Sequence, residues 1–321
     1  MSRALDCLCA GIIVADQVCE PVAQMPPAGG LTLTPRMEFT VGGCAANVAV
    51  DMAKLGLKVG LSGCVGDDLF GRAVSEMLER AGVNCQALRT TEAHPTSGTF
   101  VINVKGEDRR FIHCIGANAA YDGTQISDAD LQSARVLYVG GYCLLESLTS
   151  EKVRRLFERA RQAGVTTVLD VVLPEHGEYA SWITPVLPMT DWFFPNCDES
   201  KRLTGLNDPW ALAARFRADG CGGTAITCGA DGAVLDGPGG RWQAGVYNVP
   251  AVDATGTGDA FVSGFIYGLL RGDSPDRCLR WGTALGARCV RHLGATTGVF
   301  TAPQLRDFVE QEPLTVQRVD G

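Results

Sequence analysis

No run of this 321-residue chain stays apolar for the roughly 18 to 20 residues that cross a bilayer. The longest candidate, around Phe261 to Leu270, is broken by glycine, so no membrane partner is expected. Basic runs are missing too. The net charge is −8, and nucleic-acid binding loses its usual electrostatic footprint. Histidine is scarce: His94, His113, His176 and His292 never fall at zinc-ligand spacing, and no Cys-x-x-Cys pair occurs, which argues against zinc. Neither Gly-x-x-x-x-Gly-Lys-Ser/Thr nor Gly-x-Gly-x-x-Gly is present, so Walker-type and dinucleotide readings fall away. Residues 1–6 lack the apolar run and cleavage pattern of an export signal, and the expected compartment is the cytoplasm. Cysteine is the exception to this scarcity. The 13 cysteines are scattered, and Cys7 and Cys9 lie in an apolar run, so they are expected as buried free thiols rather than disulfides.

What is present reads as a soluble globular protein, with 46% hydrophobic and 20% charged residues on a chain long enough for a substantial core. Strand-length apolar runs alternate with stretches of helical period, the pattern of a doubly wound α/β core. Residues 5–14 read as a first strand, and 57–63, 135–140, 165–171 and 191–194 as the next four. Helices are expected over 44–55, 69–81 and 149–163, each stopped by a glycine: Gly56, Gly82 and Gly164. Further strands fall at 224–228, 233–235 and 242–246, followed by helices after Gly258 and after Pro275. Two insertions interrupt the alternation. Residues 16–40 are rich in proline and glycine, and 96–116 read as a hairpin turning at Lys105-Gly106-Glu107-Asp108.

The densest chemical signal is Asp253-Ala254-Thr255-Gly256-Thr257-Gly258-Asp259, which empties into the apolar helix Ala260-Phe261-Val262. Helix starts leave backbone N–H groups without partners and carry the positive end of the dipole, and glycines let an anion approach. Asp259 at that mouth is expected to stay ionised and to take a proton from an attacking hydroxyl. The same residues could also form an ordinary N-cap on a tight turn. A second stretch near the other end changes the weighing: Val41-Gly42-Gly43-Cys44-Ala45-Ala46-Asn47 opens a helix and leads to Gly63-Cys64-Val65-Gly66-Asp67-Asp68.

Paired in this order and at this separation, the two stretches resemble the PfkB, or ribokinase-like, family of carbohydrate and nucleoside kinases. The resemblance implies a doubly wound, mostly parallel sheet flanked by helices, carrying a small β-sheet lid. One kinase domain would span 1–312, with lid segments at about 16–40 and 96–116 and a tail at 313–321. It further implies that Gly256, Thr257 and Gly258 form an anion hole and that Asp259 is the catalytic base. Asp16, Gly42, Gly43 and Asn47 would bind the acceptor. Asn196 and Glu199, from an Asn-x-x-Glu motif, would organise ATP and Mg²⁺, with Glu199 acting through metal-bound water. Read alone, those two residues would make a helix cap. Thr227, Gly229 and Gly232 match a turn under the nucleotide, and Thr283 falls in the region of the adenine pocket. Asp253, with carbonyls near residues 290–294, corresponds to a monovalent cation site, so K⁺ is a candidate activator. The lid implies a homodimer. Cys44 stands where ribokinases commonly have lysine, a departure that counts against ribose itself.

The expected activity is ATP-dependent phosphorylation of a hydroxyl, a primary one by preference, on a small sugar or sugar acid. An adenosine-type nucleoside kinase and a catalytically silent sugar- or nucleotide-binding regulator are the alternatives. Retention of Asp259 speaks against silence, because binding alone requires no base.

Overall fold

Backbone geometry first departs from expectation at Gly11, where the strand foreseen over 5–14 divides between two sheets. Gly11 has φ +137, and a Cβ there would lie 2.1 Å from the Gly140 carbonyl oxygen. Beyond it the chain peels away, held by Asn118, whose side chain accepts from Ile13 N–H at 3.1 Å and donates to Ile13 C=O at 3.0 Å. The computed structural model describes residues 3–107 and 109–319; Asp108 of the expected hairpin turn and the last two residues of the expected tail lie outside them.

The first half of the chain forms β1 (Leu5–Gly11), β2 (Val14–Cys19), β3 (Met37–Gly42), α1 (Cys44–Lys54), β4 (Val59–Gly66), α2 (Leu69–Arg80), β5 (Asn84–Thr91), β6 (Gly98–Ile102), β7 (Arg110–Cys114), α3 (Asp128–Ser133), β8 (Ala134–Gly140) and α4 (Ser150–Gln162). The second half forms β9 (Thr166–Leu169), α5 (Ala180–Ile183), β10 (Trp192–Phe193), α6 (Cys197–Thr204), α7 (Pro209–Ala218), β11 (Thr224–Thr227), β12 (Ala233–Gly237), β13 (Gly240–Ala244), α8 (Thr257–Arg271), α9 (Pro275–Cys289), α10 (Ala302–Gln311) and β14 (Val316–Val319).

The large sheet runs β14-β13-β12-β11-β10-β9-β8-β1-β4-β5, antiparallel from β14 to β11 and parallel from β11 to β5. Two of its strands were not expected. β5 is a mixed-polarity edge strand, Asn-Cys-Gln-Ala-Leu-Arg-Thr-Thr, without a clean apolar face. β14 lies in the stretch read as a tail, which pairs with β13 from Val316↔Ala244 to Val319↔Arg241. Helices cover both faces: α1, α2, α8, α9 and α10 bury one apolar cluster, and α3, α4, α5 and α7 the other. Parallel strands buried on both faces read as continuous apolar runs, which is why the central ones were legible.

The small sheet runs β3-β2-β6-β7. Its register sets Asp16 opposite both Thr40 and Thr99, and Thr99 opposite His113, so these side chains share one face. The other face carries Phe100 opposite Ile112, respectively 49% and 63% exposed.

α8 and α9 approach closely because glycine lines their contact. A Cβ on Gly264 would sit 2.4 Å from Trp281 O, and one on Gly282 2.8 Å from Phe261 O. Gly264→Ala should therefore push the two helices apart, destabilising the protein by about 1 to 3 kcal/mol and lowering Tm by several degrees. Thermal denaturation followed by circular dichroism measures this. An unchanged Tm would mean the helix pair relaxes freely.

Candidate active site

Two helix starts meet over the carboxyl ends of the parallel strands, the place where open α/β sheets take ligands. α1 begins after Gly43, which has φ +90 and would place a Cβ 2.6 Å from Ile12 O. α8 begins after Gly256, which has φ +77 and would place a Cβ 2.5 Å from Ala295 O. Both positions demand glycine for the fold itself. Gly258 differs, since a Cβ there would meet nothing within 4 Å.

The side chains of the two helices join. Asn47 Nδ2 donates to Asp259 Oδ2 at 2.8 Å, both residues buried, while Asn47 Oδ1 has no partner among the described residues. Burial pushes the Asp259 carboxyl above its ordinary range, and hydrogen bonds from Asn47 and Cys44 act against the shift. Burial therefore works against the preference for the charged form that a helix start confers. Cys44 is itself held as the neutral thiol: burial raises it well above its ordinary value, and the Asp259 charge adds to that.

Asp16 reaches the same place from β2. A Cβ on Gly42 would lie 1.8 Å from Asp16 Oδ2, so the missing side chain at Gly42 makes room for this carboxylate. Gly42, expected at the acceptor, thus lies directly against Asp16. Burial raises Asp16 to about 7, with a hydrogen bond from Thr99 opposing and the charges of Asp259 and Asp253 adding. Thr99 Oγ1 lies 3.0 Å from His113 Nδ1, which extends the chain of contacts across the lid.

Asp170, just past the end of β9, was absent from the sequence-derived site. One ligand atom each from Cys44, Asp170 and Asp259 lie within 4.8 Å of one another. Tyr138 OH donates to Asp170 Oδ2 at 2.8 Å and Val171 N–H to Oδ1 at 2.8 Å. Burial, with the charges of Asp259 and Glu199, pushes this carboxyl well above its ordinary range. Its signal was available: a single acid closing a buried parallel strand, at the end where ligands bind.

Asn196 and Glu199 open α6 as a reciprocal cap. Glu199 N–H donates to Asn196 Oδ1 at 2.8 Å, and Asn196 N–H to Glu199 Oε2 at 2.9 Å. Burial raises Glu199 to about 7, and the Asn196 N–H bond opposes this. The next motif lies alongside, because Asn196 and Thr227 form a parallel bridge. Gly229 and Gly232 have φ +55 and +86, and a Cβ on Gly232 would lie 2.1 Å from Ala244 O. Between these motifs stands a Cys197–Cys228 disulfide, contrary to the expectation of thiols throughout; the other 11 cysteines are free.

Asp253 is buried and meets the 290–294 segment through the Gly294 N–H. Oδ1 accepts from Thr255 N–H at 2.9 Å and Thr255 Oγ1 at 2.7 Å, and Oδ2 from Gly294 N–H at 3.0 Å. Val290 C=O accepts from both Val252 and Asp253 N–H. Thr283 is not drawn into the cluster: its hydroxyl donates to Leu279 C=O of its own helix at 2.8 Å. No helix among the described residues is long and apolar enough to cross a membrane.

A buried carboxylate beside an open anion-binding turn, facing further hydrogen-bonding groups, can position a hydroxyl and take its proton. Comparisons with known proteins place the chain in a family. The model of the pfkB family of carbohydrate kinases matches residues 4–302. Aminoimidazole riboside kinase of Salmonella typhimurium is 31% identical over 288 residues, covering 85% of this chain and 89% of that protein. 5-Dehydro-2-deoxygluconokinase of Shouchella clausii is 28% identical over 289 residues, covering 85% and 87%. The structure of Arabidopsis thaliana ribokinase complexed with ribose and ATP shares the fold, with a TM-score of 0.82 and 23% identity over 97% of this chain and 99% of that one. With nearly its whole length matched and its two helix starts joined through Asn47 and Asp259, this chain belongs to the pfkB family of carbohydrate kinases.

Proposed function

We propose that the protein transfers the γ-phosphoryl group of ATP to a primary hydroxyl of a small sugar or sugar acid. The observation that carries this reading is the Asn47–Asp259 contact, which sets an acceptor-side amide against the carboxylate at the anion turn. Asp259 takes the hydroxyl proton, and Asn47 orients it while its free Oδ1 accepts from the acceptor. Asp16, when ionised, accepts from two further hydroxyls. Thr257 N–H donates to Ala254 C=O at 3.3 Å, so the amides of Gly258 and Asp259 are the ones left to bind the phosphate, and bare Gly258 leaves the space it needs. Mg²⁺ suits the oxygen donors of this set, with Glu199 as its holder through water; when bound it neutralises charge on the phosphates. A riboside acceptor is the second reading, favoured by the Salmonella relative's name.

Asp259→Asn should retain MgATP binding while kcat falls about 100-fold or more, the loss expected for a general base. Turnover near the wild-type rate would remove Asp259 from that role. A panel of sugars, sugar acids and ribonucleosides, scored for ADP release, identifies the acceptor class.

Acidity offers a second check. Asp16, raised to about 7, gains a proton as pH falls through neutrality and then no longer accepts from both hydroxyls, so kcat/KM for the acceptor should decline from pH 8 to pH 6. Thr99→Val removes the bond that holds Asp16 down, and the decline should begin at higher pH. An unmoved profile would break the link between Thr99 and Asp16.

Phe100 and Ile112 on the outer lid face support a second copy of this chain as partner. Phe100→Lys combined with Ile112→Lys should convert a dimer to a monomer in analytical ultracentrifugation. The same dimer mass in the variant would place the interface elsewhere.

A further inference from the structure

The Cys197–Cys228 disulfide joins two segments 31 residues apart in sequence, each immediately beyond a residue assigned above to the nucleotide: Cys197 follows Asn196 and Cys228 follows Thr227. Cys197 is the first residue of α6, inside the cap that fixes Glu199. Cys228 begins the turn through Gly229 to Gly232, where its N–H donates to Gly232 C=O at 2.8 Å. Besides the disulfide, the two segments are tied by the Asn196–Thr227 bridge, whose bond from Thr227 N–H to Pro195 C=O is long at 3.4 Å. The disulfide is also reachable. Both cysteines are half-buried, and Asn196, Asp198, Gly229 and Ala230 around them are exposed. Proximity alone does not explain it, because Cys7 and Cys9 lie buried with sulfurs 3.9 Å apart and remain thiols.

We propose that Cys197 and Cys228 form a reversible redox site that sets affinity for MgATP, the closed disulfide clamping the α6 start to the turn after β11 and the open dithiol releasing it. Opening consumes a dithiol reductant: one of its sulfurs attacks the protein S–S bond, its second displaces the mixed disulfide, and the reductant leaves as its own disulfide. Both protein sulfurs take up the two protons. Closing is the reverse, with a low-molecular-weight disulfide as oxidant and two thiols as its product. The acceptor side shares neither segment, since Asp16 and Asn47 are held by β2 and α1.

This inference rests on the nucleotide reading of Asn196 and Thr227, and the test separates the two. Full-length protein is oxidised with glutathione disulfide or reduced with dithiothreitol, its thiols are mapped by alkylation and mass spectrometry, and MgATP binding is measured by calorimetry in each state. The expected result is a mapped 197–228 bridge and a Kd for MgATP about 3- to 10-fold higher on reduction, restored by reoxidation. Cys197→Ser combined with Cys228→Ser should hold the weaker Kd in both conditions. Failure of the bridge to form, or equal Kd values in the two wild-type states, overturns the redox site and leaves the nucleotide reading standing. No MgATP binding in either state overturns the nucleotide reading itself and the redox coupling built on it. The wild-type comparison decides the matter even if the double variant does not fold.

Discussion

A single buried hydrogen bond, from Asn47 to Asp259, closes 212 residues of chain into one site. Everything around it serves that approach. Gly43 and Gly256 take the left-handed backbone that lets two helices begin against strand ends and loop carbonyls, where any Cβ would collide. The glycine-lined contact between α8 and α9 then seats the helix that carries Asp259. Leaving a buried carboxylate without such a partner would carry a penalty of about 1 to 3 kcal/mol or more, so the amide both stabilises and orients the acid.

The site is electrostatically expensive. Asp16, Asp170, Asp259 and Glu199 are all raised by burial, and Asp16, Asp170 and Glu199 also feel the Asp259 charge. The compensation is local: Thr99 to Asp16, Tyr138 and Val171 to Asp170, Asn196 to Glu199, Asn47 and Cys44 to Asp259. All four carboxyls are thus shifted upward, Asp16 and Glu199 to about 7, and a carboxylate with a raised pKa is a stronger base than one at its ordinary value.

The lid illustrates how one sheet serves two surfaces. Alternation along β2, β6 and β7 sends Asp16, Thr99 and His113 to one side and Phe100 and Ile112 to the other. A one-residue slip of register would exchange the two sets. Gly42 pins that register from β3, since only a residue without Cβ leaves room for the Asp16 carboxylate.

The sequence by itself determined the layered α/β class, the helices α1, α2, α4, α8 and α9, the glycine stops of the first three, and the two glycine-rich helix starts, because these depend on periodicity and backbone freedom within a dozen residues; α3, α5, α7 and α10 were not foreseen. The resemblance to a known family, rather than local pattern, put forward Asp16, Asn47 and Asp253 beside Asp259, and it did not give the contacts among them. Tertiary structure decided what depends on neighbours distant in the chain. The first strand breaks at Gly11 because Gly140 and Asn118 stand where they do. Val316–Val319 becomes a strand because β13 offers an edge. Asp170 enters the site because Tyr138 of β8, Cys44 of α1 and Asp259 of α8 lie around it. Cys197 pairs with Cys228 because the start of α6 and the turn after β11 meet there. Local pattern records what a segment can form, and only packing selects which far-off groups will desolvate, bridge or charge it.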